Sequence, residues 1–300
     1  MKRKQLYIET KIKCDLDTLW THTQEPSTHH LWDLRFSEIK YLPKDNPTGP
    51  QKFLYSTEIG FGIKVNGIGE SVATKTKDNG ESTSVLKFSS DSNLSIIKQG
   101  SGYWKYVPQS DGIKFFTGYD YETRWGIVGQ VLDKFIFRPL MIWATAWSFD
   151  CLKKWIEKGM HPKQAIKAQL TVLLSSVALS LVWIYQGLIP KLLFANTGEI
   201  EILKQSGMFT GNERNVLTFI GWAEILFGLT ILFVHKKTIH IINIIALLLL
   251  SAAALFSNAI MFTFPFNPFS LNISMIAISM IAIINFGCLP KASNCITKQK

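Results

Sequence analysis

One acidic residue, Glu224, lies within residues 215–234, a stretch that is otherwise free of charge. It is about 10 residues from the start of this stretch, which corresponds to roughly 15 Å along a helix. A carboxylate at that depth in a membrane is costly and commonly faces a partner or a water-filled cavity. The sequence leaves two interpretations open: a site for a polar headgroup, a quinone or a proton, or a structural network between helices.

Two glycines, Gly221 and Gly228, share a helical face with Glu224, and small residues on such a face let a neighbouring helix approach closely. Lys191 alone is typical of a lysine that reaches towards the membrane interface, but it gains importance if it pairs with Glu224. We predict a polar cluster within the outer half of the membrane. Its members are Tyr185, Gln186, Lys191, Glu224, Asn258 and Asn272.

Aromatic residues are the main candidates for ligand binding in the first half of the chain. They could line a cavity or simply form the core, as most aromatic side chains do. Adjacent His29 and His30 face different directions and lack a third ligand at useful spacing, which favours surface or capping roles over a metal site. Asp120 and Glu122 alternate along one strand, which favours a solvated face over acid/base chemistry. The predicted ligand-binding residues are Trp32, Trp104, Tyr106, Phe115, Tyr119, Tyr121 and Trp143.

Familiar enzyme signatures are missing from the sequence. It has no glycine-rich phosphate loop, no serine nucleophile elbow and no HExxH motif. The four cysteines, at positions 14, 151, 288 and 295, form no CxxC pair and no cluster with zinc spacing. We therefore predict no metal. We also predict free thiols at Cys14 and Cys151, because both fall in the part of the chain that we expect in the reducing cytosol. The sequence identifies no cofactor and leaves open whether the protein is an enzyme.

The charge of the chain is strongly basic, with 32 Lys and Arg against 22 Asp and Glu and a formal net charge of +10. The basic residues are scattered and form no basic helix or arm, which argues against nucleic-acid binding. Much of the excess lies beside apolar stretches, where it orients a membrane protein.

The secondary-structure elements that would position these residues fall into two domains, with a boundary near residue 160. The pattern of residues 1–160 predicts a strand, two short helices, about six further strands and a long helix from Asp133 to Lys158. Asp15 is the expected N-cap of the first helix and Gly159 the expected end of the last. An antiparallel sheet wrapped around the long helix is the simplest packing for this order.

Residues 161–300 predict an all-α bundle of four transmembrane helices. A bilayer core of roughly 30 Å needs about 20 apolar residues. Lys236 and Lys237 lie between the second and third spans, so the positive-inside rule places both termini of this multi-pass cell-membrane protein in the cytoplasm. The predicted spans are residues 168–190, 215–234, 239–262 and 269–289.

Several motifs resemble known families. The segments 30–33 (HLWD), 102–104 (GYW) and 147–150 (WSFD) resemble motifs of the polyketide-cyclase-like branch of the SRPBCC superfamily (START and Bet v 1-like proteins). This resemblance implies an α+β helix-grip fold for the first domain, with a hydrophobic ligand between sheet and helix. The segments 183–191 (WIYQGLIPK) and 221–224 (GWAE) resemble the DoxX-like family of four-helix membrane proteins. Founding DoxX members are associated with quinol oxidation and thiol-stress complexes.

Three functional hypotheses follow. The first is a membrane protein whose cytoplasmic domain binds or presents a hydrophobic small molecule, such as a lipid or a quinone-like compound. The second, implied by the DoxX-like resemblance, is an accessory protein in membrane redox or quinone chemistry with Glu224 as proton carrier. The third is an assembly or scaffold protein that recruits a membrane protein partner. In all three the lipid bilayer is a partner.

Overall fold

The computed structural model describes residues 4–44, 46, 49–60, 62–196, 198–207, 209–257, 259–265 and 267–299. The chain divides into two compact units. The first contains Met1–Ala165 together with Pro290–Lys300, and the second contains Ile166–Leu289. The boundary predicted near residue 160 assigned the C-terminal tail to the membrane domain, whereas the tail packs within the first unit.

Seven antiparallel strands form one sheet in the first unit, in the order β1-β7-β6-β5-β4-β3-β2. Side chains alternate between a buried and an exposed face, most regularly along β7, where Ile113, Phe115, Thr117, Tyr119 and Tyr121 are buried. The strands are β1 (Leu6–Ile12), β2 (Glu38–Tyr41), β3 (Gln51–Gly60), β4 (Ile63–Thr76), β5 (Ser82–Ser89), β6 (Ile97–Gln109) and β7 (Gly112–Thr123).

Helices pack on the buried face of this sheet, and one further helix follows β7 with most of its side chains exposed. Asp15 caps the first helix, because its carboxylate accepts a hydrogen bond from the Thr18 backbone N–H at 2.7 Å. The helices are α1 (Leu16–Gln24), α2 (Pro26–Trp32), α3 (Gly126–Leu132) and α4 (Arg138–Lys158). Apolar residues of β1, β6, β7 and α4 form one core, as expected for an α+β helix-grip fold.

The long helix differs from the prediction at its start. A π-helical turn, Asp133–Phe137, joins α3 to α4, so the helical segment already begins at Gly126. A π-helical turn adds one residue to the helical repeat and changes the phase of the apolar face. In this region Asp133 and Phe137 face the sheet, whereas Phe135, Ile136 and Leu140 are exposed.

The C-terminal tail closes the first unit. Ile296 and Glu9 exchange two backbone hydrogen bonds of 2.9 Å beside β1. The buried Asp150 carboxylate on α4 accepts hydrogen bonds from the Lys291 backbone N–H at 2.8 Å and the Asn294 side-chain amide at 2.9 Å. The tail is therefore held at two separate positions.

Four helices among the described residues are long and apolar enough to cross a membrane, at Pro162–Leu193, Glu213–Phe233, Lys237–Phe256 and Pro268–Asn294. A π-helical segment, Gly187–Leu193, which contains Pro190, continues the first span. The segment between the first two spans contains a short helix, Glu199–Ser206. The helices are α5 (Pro162–Gln186), α6 (Glu199–Ser206), α7 (Glu213–Phe233), α8 (Lys237–Ser257) and α9 (Pro268–Asn285).

Candidate functional site

Six of the seven predicted ligand-binding aromatics lie together inside the first unit. Strand alternation and the β6–β7 register place Tyr106 opposite Phe115, and their ring centroids are 5.1 Å apart. Phe115 also contacts Trp104 at 5.8 Å and Phe149 of α4 at 4.6 Å. The rings of this group therefore fill the interior by packing on one another. The six buried residues are Trp32, Trp104, Tyr106, Phe115, Tyr119 and Tyr121.

Trp143 does not belong to this group, because its side chain is 47% exposed on α4. In this part of α4 the side chains that pack against the core are Met141 and Ile142, and Trp143 lies on the other face.

A buried ion network lies beside the aromatic group. The Arg35 guanidinium donates to both carboxylate oxygens of Asp33, with Nε–Oδ1 at 2.9 Å and Nη2–Oδ2 at 2.6 Å. His29 lies one helical turn before Asp33 on α2, and its Nε2 is 3.1 Å from Oδ2. The Asp33 side chain is fully buried, and those of Arg35 and His29 are only 12% and 13% exposed.

Aromatic rings enclose this network. The His29 ring stacks on Trp32 at 5.2 Å and meets the edge of Trp104 at 4.8 Å. The Arg35 guanidinium carbon lies 5.6 Å from the centre of the Tyr119 ring, and the Tyr119 hydroxyl is 3.0 Å from Thr145 Oγ1 of α4. The charged groups are therefore held between α2, the sheet and α4.

The protonation states follow from burial and pairing. Burial by itself would raise the pKa of Asp33, but the Arg35 charge and the hydrogen bonds from Arg35 and His29 hold it well below its usual range. Burial lowers the pKa of His29, and this effect outweighs the opposing influence of Asp33. Near neutral pH the network is thus an Asp33–Arg35 ion pair with a neutral imidazole.

Sequence reasoning was wrong about His29, which it placed at the surface or in a cap. The comparison was made only with its neighbour His30, whereas the partner is Asp33, the C-cap residue of the same helix, four positions further along. The i, i+4 spacing was the signal that could have identified the pair.

The opposite face of the sheet is exposed to solvent and carries both polar and apolar side chains. It contains a concavity of about 600 Å³ that Lys87, Gln99, Asp120 and Glu122 help to line. Glu122 accepts a hydrogen bond from the Gln99 amide at 2.9 Å, and it lies at the exposed surface. Asp120 and Glu122 therefore lie on the solvent side, away from the aromatic interior.

A second ion network lies in the second unit. Lys191 Nζ is 3.0 Å from Glu224 Oε2 and 3.2 Å from Glu199 Oε1, and it donates to the backbone oxygen of Gln186 at 3.4 Å. The Lys191 side chain is 9% exposed. The glycines at 187 and 221 allow this close approach, because a Cβ on Gly221 would lie only 2.9 Å from the Gly187 backbone oxygen.

The predicted membrane cluster is only partly assembled. Lys191, Glu224 and the Gln186 backbone come together, and Glu199 of α6 joins them although the sequence gave no reason to include it. The Tyr185 side chain is 59% exposed. Asn272 instead donates to Ser251 Oγ at 2.8 Å. Asn258 lies outside the described residues.

A third polar network, which sequence reasoning missed, links α5, α8 and α9. Trp183 Nε1 donates to Asn243 Oδ1 at 2.7 Å, and Asn243 Nδ2 donates to Ser279 Oγ at 2.7 Å. Nearby, His240 Nε2 is 3.5 Å from Ser176 Oγ. Asn243 and Ser279 are fully buried. The polar residues within these apolar spans were the signal that could have identified the network, since such side chains commonly form hydrogen bonds between helices.

Comparison with known proteins places the chain among membrane proteins. A family model described as "DoxX-like family" matches residues 180–280. The uncharacterized membrane protein YndG of Bacillus subtilis (strain 168) is 47% identical over 203 residues, which cover 67% of this chain and 75% of that protein.

Solved structures are similar to the first half of the chain. A STAR-related lipid transfer protein fragment from Xanthomonas axonopodis has 14% identity and a TM-score of 0.39, covering 50% of this chain and 84% of that chain. The Zhui aromatase/cyclase from Streptomyces sp. R1128 has 9% identity and a TM-score of 0.39, covering 52% of this chain and 97% of that chain.

Proposed function

Since the chain belongs to the same family of membrane proteins as YndG of Bacillus subtilis, we propose that its first unit binds a hydrophobic small molecule with a polar group. The four membrane-spanning helices keep this unit at the bilayer. The ligand class is a lipid or a quinone-like compound.

The observation that carries this proposal is the Asp33–Arg35–His29 network inside a shell of aromatic rings. Small-molecule sites are mostly apolar and contain a few placed polar groups that fix the orientation of the ligand. Here the aromatic rings supply the apolar surface, and the ion pair and imidazole supply the polar contacts for the head of the ligand. Because the rings contact one another, binding requires Trp104, Phe115 and their neighbours to move apart.

Native mass spectrometry of the full-length protein, extracted gently from its own membrane, tests this proposal. We expect a reproducible bound small molecule that is lost in Arg35→Met. The same molecule should stay bound in Asp111→Asn, which changes the exposed Lys11–Asp111 ion pair of the same unit. A wild-type protein without small molecule, or with a co-purifying protein in its place, contradicts the proposal and favours an assembly role.

The second network favours a second candidate function, in membrane redox or quinone chemistry. Glu224 Oε2 is buried and, apart from the Lys191 ion pair, has no hydrogen-bond partner among the described residues. A carboxylate in this situation could carry a proton for a diffusible quinone. A Glu224→Gln variant that fully restores respiration in a deletion strain would rule this role out, whereas a loss of respiration with normal protein levels would support it.

We also propose that both termini lie in the cytoplasm. The tail that follows the fourth span pairs with β1 and α4, so it must lie on the same side of the membrane as the first unit. An even number of spans has the same consequence. Fusions of a fluorescent protein and of alkaline phosphatase to the C-terminus test the side: fluorescence without phosphatase activity is expected, and the opposite result contradicts the assignment.

A further inference from the structure

An apolar surface lies at the start of the long helical segment of the first unit. We call it the α3 surface, and its members are Ile127, Val128, Val131, Phe135, Ile136 and Leu140. Ile127 is 79% exposed and Phe135 is 69% exposed. Contiguous apolar patches of this kind are uncommon on soluble proteins and mark a contact with a partner or a membrane.

The opposite face of the same segment is fixed to the sheet. The Tyr121 hydroxyl donates to Asp133 Oδ1 at 2.6 Å, and the Phe137 ring meets the Tyr121 ring at 5.9 Å. Asp133 is buried by this contact. Because the inner face is held in this way, the apolar side chains of the α3 surface stay directed away from the core.

The charge around the α3 surface suits a bilayer that contains anionic lipids. Lys134 is exposed beside Phe135, whose ring centre is 5.2 Å from Lys134 Nζ. The only acidic residue between positions 124 and 143 is Asp133, which is buried. Within this segment the α3 surface therefore has an exposed lysine beside it and no exposed acidic side chain, a charge that favours contact with anionic lipid.

Two tryptophans flank the surface, Trp125 before α3 and Trp143 on α4, and both are partly exposed. Tryptophan is enriched where protein meets the lipid headgroups. The first membrane span follows the end of α4 after a short connection, since α4 ends at Lys158 and α5 begins at Pro162. This connection tethers the first unit to the bilayer that holds the four spans.

We propose that the α3 surface contacts the lipid bilayer in which the four spans lie, with Trp125 and Trp143 at the level of the headgroups. The contact is separate from ligand binding and does not depend on whether the interior holds a ligand.

Photocrosslinking in the full-length protein tests this proposal. Ile127 or Phe135 is replaced by photoreactive benzoylphenylalanine, and the protein is placed in nanodiscs of phosphatidylcholine and phosphatidylglycerol. The matched control carries the same group in place of Ile68, a 47% exposed apolar residue on β4. After illumination, peptide mass spectrometry counts lipid adducts at each position.

We expect several-fold more lipid adducts at positions 127 and 135 than at position 68. Equal yields at the three positions overturn the proposal, because they show random encounters with lipid. Adducts that join positions 127 and 135 mainly to protein also overturn it, and they point to a second copy or another protein as the occupant. Both variants must retain the wild-type hydrogen-exchange protection of β7, which shows that the unit is folded.

Discussion

Removing the Arg35 guanidinium should destabilise the first unit strongly. In Arg35→Met the fully buried Asp33 carboxylate loses both hydrogen bonds from the guanidinium. Among the described residues it keeps only His29 and the backbone N–H of residue 35 as partners. Breaking a buried ion pair from one side costs about 3–5 kcal/mol, because the remaining charge is left without compensation in a poorly solvated site. The apolar stem of methionine fills much of the volume of the arginine stem, so the lost charge dominates the effect.

Hydrogen exchange measured by mass spectrometry in the full-length protein localises this effect. Amides of β6 and β7 report the opening of the unit that contains the network. Since 1.4 kcal/mol corresponds to a factor of ten, a loss of about 3–5 kcal/mol should accelerate their exchange about 140- to 4,000-fold. Amides of α7 and α8 in the second unit should exchange at the wild-type rate.

Two controls make the result specific. Asp111→Asn removes a charge from the exposed Lys11–Asp111 pair, and exposed pairs of this kind contribute little to stability, so exchange should stay unchanged. The double variant Asp33→Asn/Arg35→Met leaves no isolated charge and should lose less stability than Arg35→Met alone. If Arg35→Met behaves like Asp111→Asn, or if the double variant is the less stable of the two, the reasoning from burial is refuted.

The same network predicts a pH dependence. Burial lowers the pKa of His29 in the folded state below the unfolded value of about 6.5. As the pH falls, the unfolded chain therefore takes up a proton at His29 before the folded protein does. The contribution of neutral His29 to the free energy of unfolding is thus fully present above about pH 6.5 and declines as the pH falls below that value. After correction for the intrinsic exchange rates of unstructured amides, hydrogen exchange of the β6 and β7 amides in the wild type should accelerate from pH 7 to pH 5. The acceleration should be smaller in His29→Gln. Equal slopes in the two proteins would contradict the shift.

Three further predictions concern other parts of the chain. Asn243→Leu removes two interhelical hydrogen bonds, each worth roughly 0.6–1.7 kcal/mol. The free energy of unfolding in detergent should therefore fall by about 1–3 kcal/mol, and an unchanged value would mean that the helices repack freely. Gly221→Ala should cost about 1–3 kcal/mol through overpacking, whereas Gly287→Ala, with open space around its Cβ, should be neutral in the same assay. Burial raises the pKa of Cys295 to about 12 and keeps the thiol unreactive. Asp150→Ala should release the tail and accelerate maleimide labelling of Cys295 at neutral pH, and an unchanged rate would show that Asp150 does not hold the tail.

Local sequence patterns were sufficient for most of the architecture. The alternation along β7 and the Asp15 cap are local signals, and the structure contains both. The four spans also follow from composition alone, because an apolar stretch of this length in a bilayer must satisfy its backbone hydrogen bonds internally and therefore forms a helix. Local patterns could not predict which residues of the helical segment after Leu132 face the core. The π-helical turn there inserts one residue into the helical repeat, and such an insertion cannot be recognised from composition.

The contents of the two ion networks required long-range information. The predicted topology places Lys191 and Glu224 in one polar cluster but does not establish that they pair. Glu199 lies on a short polar helix between spans, where a carboxylate has no special sequence context. His29 and Asp33 carried a local signal in their spacing, whereas Arg35 joins them only because the chain turns back after α2. The tail contact at Asp150 depends on a residue pair more than 140 positions apart.

The Asp33–Arg35 pair also offers a way to separate a structural role from a binding role. Buried ion pairs can often be replaced by apolar residues of similar volume without loss of stability, so stability alone gives a weak reason for the pair to be present. In Asp33→Leu/Arg35→Met, a purely structural network predicts a folded protein whose small-molecule content equals that of the wild type. A network that binds the polar head of a ligand predicts a protein that is folded by hydrogen exchange and empty by native mass spectrometry. We expect the second result, because the pair is enclosed by aromatic rings that can hold the apolar part of the same ligand.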